Sequence, residues 1–91
     1  MDIQEIIERS YQATVKRGLI NDKTSKIDFL EKIKEEYYEL RTSMYSYKYE
    51  YFDESELADI VLVCFNMAKH FDIDLIKAIE EKTIYNEKRT D

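Results

Sequence analysis

The chain has no proline, no tryptophan, one glycine and one cysteine in 91 residues. Sandwiches and barrels join their strands through turns rich in glycine and proline, so the near absence of both argues against a β fold. A single cysteine, Cys64, excludes an intrachain disulfide framework and a cysteine-based zinc site. Long apolar stretches are also missing. The longest uncharged run, Ile60 to Ala68, falls far short of a membrane span. No apolar secretory stretch opens the chain, so a cytoplasmic protein with no membrane partner is expected. Basic residues are in deficit, 14 against 20 acidic, giving a formal charge of −6. Such a surface matches the phosphate backbone poorly, and no nucleic-acid polymer is expected as a partner.

Strong helix formers fill most of what remains, and a chain this short makes one domain, residues 1–91. Ile3, Ile6, Ile7, Tyr11 and Val15 recur at helical spacing and predict a first helix from Asp2 to Lys16, closed at Gly18. Ser25 with Asp28 resembles a capping box for a second helix reaching Thr42. Its apolar members Phe29, Leu30, Ile33, Tyr37, Leu40 and Met44 fall within an arc of about 100°. From Met44 to Phe52 the period drops to two, as Tyr45, Tyr47, Tyr49 and Tyr51 alternate with polar residues. A lone strand has no partner here, so a loop or frayed helix end is expected. Those tyrosines suit an interface or the end of a bundle better than base stacking.

Asp53 is placed to cap a third helix running to His70, apolar over more than half its circumference and so expected to be buried nearly all round. Within it Cys64 reads as a small core hydrophobe, and His70 as a surface residue or hydrogen-bond partner rather than a ligand. Asp72 or Asp74 caps a fourth helix ending near Lys88. The expected fold is all-α, a small four-helix bundle-like domain. Its third helix is too apolar for its neighbours to cover, which points to completion by homo-oligomerisation as a dimer or tetramer.

Twenty acids guarantee coincidental pairs, so position relative to the apolar stripe has to separate them. On the second helix, Glu36 lies about 20° from Phe29 and about 40° from Leu40, with Glu39 and Lys32 just beyond the arc. On the third, Glu56 lies about 20° from Val63 and Met67, and Asp59 about 40° from Val63. A carboxylate set against a core stripe is costly unless paired, hydrogen-bonded or bound to a cation. Convergence of these acids would suit a hard cation; pairing with nearby lysines is the plainer alternative. On the fourth helix the stripe Leu75, Ile79, Lys82, Asn86, Arg89 has the spacing of a packed face, apolar at first and then basic. That change suggests either a pocket for an anion or a solvated helix terminus.

The run Glu35-Glu36-Tyr37-Tyr38-Glu39-Leu40, then Glu56-Leu57-Ala58-Asp59-Ile60, Ile73-Asp74-Leu75 and Lys82-x-x-x-Asn86-x-x-Arg89, resembles the MazG-like nucleotide pyrophosphohydrolases of the all-α NTP pyrophosphatase superfamily. The likeness spans roughly residues 27–89. It implies hydrolysis of a nucleoside triphosphate, often deoxy or non-standard, to the monophosphate and pyrophosphate. It also implies Mg²⁺, with Mn²⁺ as the alternative, held by Glu36, Glu39, Glu56 and Asp59. Glu36 or Glu35 would take the proton from the attacking water, while Lys82, Asn86 and Arg89 would contact phosphate or sugar. The competing expectation is a non-catalytic helical oligomer or nucleotide-binding module.

Overall fold

The computed structural model describes residues 1–45, 51 and 53–90. It contains four helices, α1 (Ile3–Lys16), α2 (Lys26–Tyr45), α3 (Glu54–His70) and α4 (Leu75–Glu87), and no strand among the described residues.

Short polar side chains set the helix starts. Asp2 accepts from the Glu5 amide at 2.8 Å, Asp53 from the Ser55 amide at 2.9 Å and Asp74 from the Lys77 amide at 3.0 Å. Before α2 the bonds are reciprocal: the Ser25 amide donates to the Asp28 carboxylate at 2.8 Å, and the Asp28 amide to the Ser25 hydroxyl at 3.2 Å. Each such cap satisfies amides that the first helical turn leaves without partners. Two helix ends close in the same way. After α1 the amides of Gly18 and Leu19 donate back to the carbonyls of Val15 and Thr14; after α3 those of Asp72 and Ile73 donate to Lys69 and Ala68. This pattern needs a left-handed residue just past the helix, supplied by Gly18 at φ 77° and by Asp72 at φ 58°.

The core forms where α3 packs against α1 and α2, the two closely packed helix pairs. Ile20, Phe29 and Val63 are its buried centre, with Tyr11, Ile33, Met67 and Phe71 against them. Phe29 and Phe71 meet edge to face at 5.8 Å between centroids. Ile20 comes from the α1–α2 connection and lies outside any helical stripe. Asn66, also buried, accepts from the Ser10 hydroxyl at 3.1 Å and donates to Thr14 at 3.3 Å, tying α3 to α1.

Several expectations need correction. Helix α2 runs through Met44 and Tyr45 instead of stopping at Thr42. The alternation through Tyr47 and Tyr49 lies outside the described residues, and Tyr51 is exposed. Helix α3 is not covered all round: Val63, Phe65, Asn66 and Ala68 are buried, but Leu57 and Val61 stay 45% and 47% exposed. Helix α4 has no packed face along its length. Leu75 and Ile76 are half-buried, while Ile79, Ile84 and Tyr85 point to solvent. The Cα radius of gyration is accordingly 15.1 Å, against about 12 Å for a compact domain of this length.

Candidate metal centre

Helices α2 and α3 bring Glu36, Glu56 and Asp59 together. One carboxylate oxygen from each lies within 4.8 Å of the other two. The reason is local on each helix. Glu36 follows buried Phe29 by seven residues, almost two full turns, so it enters the contact with α3. Glu56 and Asp59 are three apart on α3 and share a face.

Burial sets two of the three apart from an acidic surface: Glu36 is buried and Glu56 half-buried, while Asp59 is exposed. Glu36 is only 7% exposed. Its Oε1 pairs with Lys32 Nζ at 3.2 Å, while its Oε2 is closed off from solvent and meets no donor among the described residues. Oε2 of Glu56 is closed off and without a donor in the same way. A buried carboxylate oxygen with no partner loses its hydration without replacement. Three like charges this close repel one another as well. A hard divalent cation answers both costs, and an all-carboxylate donor set selects oxygen-seeking ions over zinc or copper. Bonds of about 2.1 Å in an octahedron place ligand oxygens about 3 to 4.2 Å apart, so the observed spacing needs only a small inward movement.

The surroundings divide the remaining sequence candidates. Lys32 lies one turn before Glu36, and its ammonium also reaches Glu35 Oε2 at 3.6 Å. Partial burial pulls the Lys32 ammonium down, but the hydrogen bond it donates to Glu36, with Glu35 behind it, outweighs that and holds Lys32 above its ordinary value. Lysine pairing is therefore real at this site, yet it satisfies only one oxygen of Glu36. Glu35 is exposed at the rim, where a cleft of about 780 Å³ opens between α1, α2 and α3. Lys32, Glu36 and Asp59 line one part of that cleft, and Arg17, Thr14 and Asn66 another. Glu39 is exposed and stands outside the three-carboxylate cluster, beside Glu56 along a second groove.

The basic residues of α4 are elsewhere. Lys82, Asn86 and Arg89 are exposed and do not line the cleft. They neighbour one another instead: Lys82 Nζ sits 4.5 Å from the Tyr85 ring centroid, and Arg89 donates to Asn86 Oδ1 at 3.4 Å. His70 serves as a hydrogen-bond partner, bridging Tyr11 and the Thr24 carbonyl, and Cys64 is half-buried. Among the described residues, Arg17, on the cleft wall, is the lining cation that sequence reasoning passed over. It sits at the C-cap of α1, where a basic residue has an ordinary role beside the helix dipole.

No helix among the described residues is long and apolar enough to cross a membrane. No known protein family, curated protein or solved structure matches the chain, so the centre is defined by its own geometry.

Proposed function

We propose that the protein is a Mg²⁺-dependent nucleoside triphosphate pyrophosphohydrolase, a cytoplasmic homodimer or homotetramer. The observation that carries this reading is the convergence of Glu36, Glu56 and Asp59, with two shielded oxygens that have no donor among the described residues. The motif resemblance supplies the reaction class. Water attacks the α-phosphorus, the bond to the β-phosphate breaks, and nucleoside monophosphate and pyrophosphate leave. Bound Mg²⁺, or Mn²⁺, supplies charge neutralisation and a more acidic water. Glu36, Glu56 and Asp59 hold it, and Glu39 joins them by a side-chain movement along its groove. Glu35, solvated at the rim, or Glu36, through the oxygen that Lys32 leaves free, would accept the water's proton.

Assembly is part of the proposal. The accessible surface is 7306 Å², against about 5,600 Å² for a compact monomer of this mass. The excess is larger than the ~800 Å² per partner of a standard interface. Pairing through α4 and the Leu57–Val61 face would cover it and would give Lys82, Asn86 and Arg89 a route to a neighbouring subunit's cleft.

A second reading, a nucleotide-binding module or helical oligomer without turnover, is favoured by the absence of those three residues from the lining of the cleft in the single chain. A screen for Mg²⁺-dependent pyrophosphate release over natural and modified nucleoside triphosphates separates the two. Release that disappears in chelator supports the enzyme. Metal-dependent nucleotide binding with no product from any triphosphate supports the module.

A further inference from the structure

A cation belonging to the chain already stands at the carboxylate cluster. Lys32 Nζ holds one oxygen of Glu36 at 3.2 Å, and the other oxygen of the same carboxylate is buried with no donor among the described residues. We infer that Lys32 is an exchangeable counter-ion. It neutralises Glu36 while no metal is bound, and turns to a phosphate of the ligand in the adjoining cleft once a divalent cation takes up the Glu36 charge. The inference rests on reading Glu36, Glu56 and Asp59 as a metal centre, and adds to it the residue that links metal loading to anion binding.

Three observations support it. The Lys32 side chain is 42% exposed, so its ammonium can leave Glu36 without disturbing the core. It lines the same cleft as Glu36 and Asp59, which puts a ligand phosphate within its reach. Its type also fits. A lysine is a flexible point charge, whereas an arginine would grip the carboxylate through two parallel bonds and resist displacement. Charge arithmetic agrees: the three clustered carboxylates, one divalent cation and one ammonium sum to zero, and Glu35 and Glu39 nearby add only negative charge, so a polyanion is held through groups whose positive charge is free to face it.

The test uses two probes on the full-length protein, with Lys32→Met as the variant and Lys32→Gln as a second that keeps a polar, solvated side chain. Mn²⁺ binding, followed by electron paramagnetic resonance without any phosphate, is expected to tighten about tenfold when the competing ammonium is removed. Binding of inorganic pyrophosphate at saturating Mg²⁺, followed by calorimetry, is expected to weaken about tenfold. The opposite signs are the signature, because a lysine that merely braces α2 would weaken both. Unchanged or weaker Mn²⁺ binding in the variants overturns the inference, and so does unchanged pyrophosphate binding. Should the unsubstituted protein bind no Mn²⁺, the metal centre falls and this inference with it. Should it bind Mn²⁺ as tightly as the variants do, only the role of Lys32 falls.

Discussion

The hydroxyl of Tyr11 lies 2.8 Å from Nδ1 of His70, across the packing of α1 on α3. The other ring nitrogen, Nε2, lies 3.1 Å from the carbonyl oxygen of Thr24, which can only accept. Nε2 therefore carries the proton in the neutral ring, and Nδ1 accepts from Tyr11. One side chain thus joins α1, the α1–α2 connection and α3. Tyr11→Phe removes the donor and leaves Nδ1 facing an apolar ring edge. Stability in urea is expected to fall by about 1 to 2 kcal/mol. The fold should survive, and a change too small to measure would show that the bond is solvated.

The crowded carboxylates make a prediction with two signs. Glu56→Gln removes one of three adjacent charges, so the metal-free protein should melt at the same or a higher temperature. The same change removes a ligand, so the rise in melting temperature on adding Mg²⁺ or Mn²⁺ should vanish, as should Mg²⁺-dependent pyrophosphate release. Asp59→Asn should behave alike. A variant that keeps the full metal-induced rise would show that the ion is held elsewhere. Thermal scans with and without chelator provide the measurement.

Asp53 gives a pH dependence. Its carboxylate accepts from the Ser55 side chain and then from the Ser55 amide, and both bonds hold it below its ordinary value of 3.8. A group with a depressed folded-state pKa stabilises the fold above its unfolded pKa and loses that contribution as pH falls through the folded value. The melting-temperature gap between the natural protein and Asp53→Ala should therefore be full at neutral pH. It should close below the usual aspartate range. A gap that stays constant into strong acid would mean the cap works without its charge.

The two left-handed closures offer a comparison inside one molecule. Gly18 takes that conformation without penalty, whereas Asp72 carries a Cβ through it at φ 58°. Asp72→Gly is expected to stabilise the protein by up to about 1 kcal/mol, and Asp72→Val to destabilise it by more. Equal stability of all three would show that the end of α3 relaxes around whatever residue stands there.

Features decided within one or two helical turns were legible in the sequence. The Ser25–Asp28 box, the Asp53 cap and the Gly18 stop depend only on near neighbours, and each formed as its residues indicated. Glu36, Glu56 and Asp59 were legible too, because angular distance from an apolar stripe measures how far a side chain is drawn into a helix contact. Glu39 shows where that measure stops. Its place just outside the arc is compatible with either side, and the contact left it in the next groove. Ile20 was invisible for another reason: a connecting residue has no period, so only tertiary closure shows that it is core. The course of α4 was equally hidden, since an a/d stripe declares that a helix has a face to cover without saying what will cover it.

The joint between α3 and α4 spans only Phe71 to Asp74. A helix of thirteen residues is about 20 Å long, so rotating two bonds at Asp72 by about 20° swings the far tip through roughly 7 Å. Asn86 lies in the last turn of that helix, Lys82 about halfway along it, and Arg89 just past its end. The direction they take is therefore set at the far end of their own helix, by the torsions of the four-residue joint, the left-handed Asp72 among them.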